Sequence, residues 1–494
     1  MGILKKLAGE SAIYGLSTIL GRLINYLLVP LYTAIFDPDA FGVYSVLYAY
    51  AAFLQILFTF GMETAYFRYS SRDENESKVF NQIFTLVFIS SIILSAVIFS
   101  SAQGISQILE YESFQKEIKY LSIILGLDAI AAIPFTRLRF RNKAWNFAII
   151  KLINILLNVG FNVFFYLVLP RYPDLSIQIG IGFASGSIAF IFISNLLASA
   201  FTLLLLSPVI LQWRPIFEKG FIRQVYGYSF PIMLMGIAGI ANEMLDKILL
   251  KEWLPDNFYN QFDSDGAVGI YSAAAKLAIF MMLMIQSFRF ASEPFFFKSA
   301  NSEKAPEDFA IVMKWFVIVG MLVFVTVTLN LDLLKYLLRS EVYWTGLMVV
   351  PVLLLAKFFL GVYYNLSIWF KLTDKTRFGM YFSFIGAGIT IVANFILIPL
   401  IGYMGSAFSA FLAYLSMMIL CYIYGQKNYP IPYKIGNALF YILLGVVLVM
   451  ADFFWHPNSQ ILASVYHFAL IFLFLIIVFI GEFKPESGRG NVEI

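Results

Sequence analysis

Cysteine, histidine and charge are all scarce in this sequence. The single cysteine, Cys421, lies inside an apolar run, which excludes a disulfide framework and a thiol pair for metal or redox chemistry within the chain. The two histidines offer little for acid–base work. His456 sits in a loop beside Pro457, and His467 lies in an apolar stretch with no evident acidic partner, so both read as structural or interfacial. Neither a catalytic residue nor a metal site is expected, and no P-loop or GxSxG motif is present. Charged residues make up only 13% of the chain, against about 25% in soluble proteins. Long polar loops are missing too: even the stretch from Trp253 to Ala267 has room for little more than a turn or a small helix. A soluble catalytic domain is thereby excluded.

What remains is apolar: 60% of the 494 residues are hydrophobic and 18% aromatic. Runs of about 20 apolar residues match the thickness of a bilayer crossed by a helix. Reading these runs with Gly, Pro and charge clusters as boundaries predicts fourteen spans, beginning near residues 12, 42, 81, 119, 147, 181, 227, 269, 315, 347, 379, 405, 437 and 462. The first, from about Ala12 to Phe36, is too long for a signal-peptide core and lacks a small-residue cleavage site, so it is expected to stay as a span. Met1-Gly2 does not open a myristoylation motif, because Lys6 stands where Ser or Thr is required. Alternate loops then collect 22 of the 34 cations, among them Lys5, Lys6, Arg137, Arg139, Arg141, Lys143, Lys371, Lys375, Arg377, Lys484 and Arg489. The opposite loops hold six: Lys116, Lys119, Arg171, Lys251, Lys335 and Arg339. The positive-inside rule places both termini in the cytoplasm. The net charge of +4 reflects this bias and implies no nucleic-acid partner.

The chain repeats itself. FGVYS (Phe41 to Ser45) opens the second span and VGIYS (Val268 to Ser272) the eighth, an offset of 227; Lys143 and Asn162 correspond to Lys375 and Asn394 at an offset of 232, and Pro170 and Pro399 end the two segments. This predicts duplication of a six-helix unit, with lobes over 1–212 and 213–424 and two appended helices over 425–494. Parallel repeats of this kind place a transporter site between the halves and work by rocking. The opening GRLINYLLVPLYTAIFDPDAFGVYS, the stretch NFILIPLIGYMGSAFSAFLAYL and the span count together resemble the polysaccharide (Wzx-type) flippases of the multidrug/oligosaccharidyl-lipid/polysaccharide exporter superfamily. The resemblance implies an all-α, MATE-like fold in the bacterial inner membrane and export of an oligosaccharide carried on undecaprenyl pyrophosphate. It implies as partners the lipid-linked oligosaccharide, membrane lipids and a polysaccharide polymerase or other assembly proteins.

Ionisable residues deep in a span cost about 2.5–3.5 kcal/mol to insert, so they usually face a cavity or a partner. Lys151, Arg289, Glu63 and Asp452 lie near span ends, where side chains reach the headgroups. Arg22 is deep in span one, with a structural pairing to Asp128 as the alternative to substrate binding. Gly15, Gly21 and Pro30 in span one, and Pro231, Gly236 and Gly239 in span seven, predict interrupted helices at repeat-related positions. Span seven also carries Asn242, Glu243, Asp246 and Lys247; Glu243 and Lys247, four apart, are expected to pair and to leave Asp246 unpaired. Glu243 and Asp246 are the candidates for ion coupling, with a proton or sodium ion and no other cofactor, and acidic residues on this helix bind the coupling cation in some members of the superfamily. Arg22, Lys247, Lys276 and Lys357 are the candidate ligands for an anionic head, since Lys and Arg bind phosphate by charge-assisted hydrogen bonds. The family's cavity is lined largely by spans one, two, seven and eight, which favours the first three. Tyr44, Tyr48 and Tyr271 are the aromatics placed to stack on a sugar, against packing as the plainer reading.

Two other functions compete. A multidrug or cation exporter of the same superfamily would usually have twelve spans and an acidic cavity, and a membrane enzyme of glycan assembly would need a catalytic constellation that the sequence does not display.

Overall fold

The computed structural model describes residue 15 and residues 19–72, 75–172, 186–300, 302–457 and 459–483. Lys5, Lys6, Lys484 and Arg489, the two terminal cation clusters, and the expected start of span six near 181 lie outside the described residues. Among the described residues the chain is helical and contains no strand. That is the outcome for a multi-pass chain in a bilayer, where each peptide group has to find its hydrogen bond within its own segment.

The helical segments follow the apolar runs: α1 (Ile19–Ile35), α2 (Pro38–Ser70), α3 (Glu76–Ser100), α4 (Glu112–Phe140), α5 (Ala144–Arg171), α6 (Ala189–Ile210), α7 (Lys219–Trp253), α8a (Ser264–Lys276) and α8b (Ile279–Ser299), then α9 (Ala305–Leu329), α10 (Glu341–Leu372), α11 (Arg377–Ile401), α12 (Tyr403–Asn428), α13 (Ile435–Phe454) and α14 (Gln460–Phe483). Eleven of these are long and apolar enough to cross a membrane, twelve counting the α8a–α8b pair as one span. The expected fourteen are therefore not all matched by length and hydropathy. α1 is described only from Ile19 to Ile35, and α7, although 35 residues long, is diluted by Glu243, Asp246, Lys247, Lys251 and Glu252.

Two helix starts carry side-chain caps. Asp37 accepts from Ala40 N at 2.8 Å with Pro38 in the first turn of α2, and Asn75 accepts from Lys78 N at 3.1 Å at the start of α3. The predicted interruption of α7 does not occur. Pro231 lies inside one continuous helix, whose remaining ladder holds it together across the missing N–H. A sharp break falls instead in the eighth segment, where Leu277 and Ala278 part α8a from α8b immediately after Lys276; α2 is interrupted too, at the left-handed Phe60 and Gly61. In α1 the ladder tightens at Leu27, whose N–H bonds Ile24 O at 3.1 Å, three residues before the Pro30 that can donate no bond.

The repeat is visible in local geometry. Asn142 and Asp374, 232 apart, both adopt the left-handed conformation (φ 53° and 56°), and the following residues close the same six-to-one bond: Lys143 N to Leu138 O at 2.8 Å and Lys375 N to Phe370 O at 2.9 Å. Asn162 and Asn394 are both fully buried and each donates its amide to the carbonyl four residues back, at 2.8 and 2.7 Å. The FGVYS and VGIYS segments pack on each other. A Cβ at Gly42 would lie 1.9 Å from Asp265 O, and a Cβ at Gly269 would lie 1.9 Å from Pro38 O. Since 38 + 227 = 265 and 42 + 227 = 269, the two contacts are one contact read in both directions. That reciprocity is the signature of a two-fold related pair, and glycine is what lets the two backbones approach so closely.

The described chain groups into two compact units: residues 1–276, 338–349 and 377–413, and residues 277–337, 350–376 and 414–494. The first division falls at the break after Lys276. Within the second unit, Glu482 of α14 takes Lys314 of α9 at 2.5 Å and Tyr441 of α13 at 2.9 Å, fastening the appended helices to the ninth.

Candidate functional site

The polar face of α7 lies in the first unit, and its chemistry is set by what packs against it. Asp246 is buried and accepts the hydroxyl of Tyr271, from α8a, at 2.5 Å. Its other oxygen accepts its neighbour's backbone N–H at 2.9 Å and faces Lys247 Nζ at 3.6 Å. The expected pairing is thus corrected: Lys247 sits nearest Asp246, not Glu243, and Asp246 is not unpaired. Glu243 is exposed and forms no ion pair among the described residues. The four-residue spacing rule describes a solvated helix face, whereas here Tyr271 from another helix decides which carboxylate is held.

One turn away, Asn242 joins α7 to α11. It donates to Ser383 O at 3.0 Å and to Ala238 O at 2.9 Å, and accepts from the Thr390 hydroxyl at 3.3 Å. Towards the end of α7, Lys251 reaches Asp265 at 3.1 Å, and the same carboxylate takes the hydroxyl of Tyr111. Sequence reading assigned Lys251 to a loop and passed over Asp265. The available signal was the repeat itself, because Asp265 stands where the first copy has Pro38.

The cations are distributed over both units. Arg22, exposed on α1, Lys247, half-buried on α7, and Lys276, exposed as the last residue of α8a, all belong to the first unit; Lys357, half-buried on α10, belongs to the second. Asp128 accepts from Ser199 at 2.7 Å, which gives that acid a neutral partner. Lys151 lies over the Phe135 ring at 5.0 Å and Arg289 over Tyr364 at 4.4 Å, so aromatic faces hold these two cations.

Among the aromatics, Tyr271 serves the carboxylate. Its repeat partner Tyr44 packs among Tyr32, Phe41 and Tyr48, with centroids 4.9–5.8 Å apart. Tyr48 in turn accepts from Asn195 at 2.9 Å. The duplication kept the tyrosine and changed its work. The site offers a buried carboxylate, an amide–hydroxyl network and the Lys247 ammonium beside Asp246.

Comparison with known proteins fits this arrangement. The lipid II flippase MurJ in its inward closed conformation superposes with a TM-score of 0.70 over 96% of this chain and 100% of its own, at 14% identity. An inward-facing multidrug resistance MATE family transporter of the MOP superfamily superposes at 0.63 over 84% of this chain and 97% of its own, at 13% identity. At such identities the likeness speaks for the fold. No curated protein matches the sequence. The family described as polysaccharide biosynthesis protein matches residues 7–300, more than half of the 494 residues, and the chain therefore belongs to the polysaccharide biosynthesis protein family.

Proposed function

We propose that this protein flips a lipid-linked oligosaccharide with an anionic, pyrophosphate-type head across the bacterial cytoplasmic membrane, by alternating access coupled to a proton or sodium ion. The observation that carries this reading is the carboxylate of Asp246, buried on α7 of a polysaccharide biosynthesis family member and held by Tyr271 from the helix that ends in Lys276. A proton or cation taken up at Asp246 would be felt by α8a, because the Tyr271 hydroxyl donates to that carboxylate. Arg22 and Lys276 are the ligands assigned to the anionic head, with Lys247 drawn between Asp246 and substrate. The MurJ fold, belonging to a protein named for flipping lipid II, favours a lipid-linked cargo. Both termini are placed in the cytoplasm, and polymerase or other assembly proteins are the partners the family suggests.

Two unit charges about 4 Å apart attract by about 4 kcal/mol at an effective dielectric near 20, and desolvation offsets part of this. Each cation should therefore account for roughly 5- to 150-fold in affinity, corresponding to about 1–3 kcal/mol. Arg22→Gln and Lys276→Gln are expected to impair surface-glycan display in cells, while Lys151→Gln stays mild, with membrane protein level measured alongside. Normal display from a well-expressed Arg22→Gln, Lys276→Gln double variant would overturn the cationic site, and ion-driven efflux of cationic dyes would favour the drug-exporter reading instead.

A further inference from the structure

The only two histidines in the 494 residues meet at one carboxylate, far in sequence from the α7 site. Asp452, in the last turn of α13, has one oxygen 3.1 Å from Nδ1 of His456 and 2.9 Å from Nε2 of His467. The other nitrogen of His456, Nε2, lies 3.1 Å from a carboxylate oxygen of Asp332, in the turn after α9. Lys335 holds the remaining oxygen of Asp332 at 3.3 Å. His467 is buried, with its side chain 4% exposed, while His456 is open at 42%. All five residues belong to the second unit.

Proton bookkeeping makes this cluster unusual. Three ring nitrogens face carboxylate oxygens, yet two neutral imidazoles carry only two N–H groups. If His456 Nε2–H donates to Asp332 and His467 Nε2–H to Asp452, then Nδ1 of His456 points a lone pair at an anionic oxygen. A metal ion placed between these atoms would take that lone pair.

We propose that Asp452, His456 and His467 bind one divalent transition-metal ion of the zinc class, with Asp332 as the carboxylate that orients His456. The geometry suits it. The three ligand atoms lie within 4.8 Å of one another, and donors at about 2.0–2.1 Å around a tetrahedral ion are separated by only about 3.3 Å, so small side-chain movements suffice. Imidazole and carboxylate donors favour zinc and its neighbours over magnesium or calcium. Asp332 supplies what metal-bound histidines almost always have, a carboxylate on the far ring nitrogen that fixes the tautomer and leaves Nδ1 free to ligate. Three protein ligands leave a fourth position for water on the open His456 side. Such an ion fastens the α13–α14 connection, already closed by Trp455 against Tyr466 with centroids 4.8 Å apart, to the end of α9.

The test uses the full chain in detergent micelles, purified without a polyhistidine tag and stripped with a chelator. Zinc is titrated against a chromophoric chelator, and cobalt is used in parallel because its visible absorption reports nitrogen–oxygen tetrahedral ligation. The expected result is one ion per chain, bound at least tenfold more weakly in His456→Gln and roughly 10- to 100-fold more weakly in Asp332→Asn. Zinc should also raise the thermal unfolding midpoint of the wild type and leave that of His456→Gln unchanged. His456 is exposed, so this variant is expected to fold even where His467→Gln does not. Equal zinc binding by wild type and His456→Gln would overturn the proposal.

Discussion

Asp246 is the residue at which one substitution is most informative. Asp246→Asn keeps the size of the side chain and can still accept from Tyr271, so the protein should fold, while ion-driven transport should be lost. Transport is to be measured across a range of pH and sodium concentration, and normal behaviour would make the carboxylate structural. Tyr271→Phe removes the hydroxyl that reaches Asp246 at 2.5 Å and leaves the carboxylate without that donor. An unsatisfied buried polar group costs about 1–3 kcal/mol, so this variant should lower thermal stability and weaken coupling together. Tyr44→Phe, at the repeat-related position in an aromatic cluster, should leave coupling intact. The comparison reads out the divergence of the two copies: the same residue type at the same repeat position matters only where a carboxylate faces it.

At the scale of elements, the contact between α2 and α8a sets a close helix crossing within the first unit. Cβ atoms at Gly42 or Gly269 would meet backbone oxygen at 1.9 Å, and backbone cannot rotate away as a side chain can. Overpacking a core costs about 1–3 kcal/mol in typical cases, and separating two helices along their contact costs more. Gly42→Leu and Gly269→Leu should each cut the yield of monodisperse protein on size-exclusion chromatography in detergent. Gly160→Leu and Gly388→Leu are the controls, because nothing lies within 4 Å of a Cβ there, and they should elute as the parent does. Loss in the controls as great as in the pair would mean that bulk in the helices, not this crossing, sets the yield. The break in the eighth segment belongs to the same scale: glycine and proline counts pointed to α7, yet α7 runs unbroken and the interruption follows Lys276, where neither residue type occurs.

For the whole molecule, the expectation is fourteen spans with both termini in the cytoplasm. Eleven or twelve segments satisfy length and hydropathy, so the reading depends on α1 and α7 also crossing. Reporter fusions after residues 143 and 377 should both give cytoplasmic signals. A periplasmic signal after residue 143 would mean that α1 fails to span, and one after residue 377 alone that α7 or the broken eighth segment does. The positive-inside split carries this prediction, since Arg137, Arg139, Arg141 and Lys143 flank one junction and Lys371, Lys375 and Arg377 the other.

The sequence by itself determined the class of protein and the places of most helices, because bilayer thickness and apolar run length are properties of a one-dimensional string. The paired caps at Asn142 and Asp374 and the twin buried amides of Asn162 and Asn394 appear where the offset of 232 puts them. Only the tertiary structure decided the partners. Asp246 finds Tyr271 at a separation of 25 residues, Asn242 finds Thr390 at 148, and His467 finds Asp452 across a turn between two helices. Spacing rules within one helix see neighbours three or four residues away. A buried polar group takes whatever donor the packing of another helix brings to it, because leaving it unpaired away from water costs more than any local preference returns.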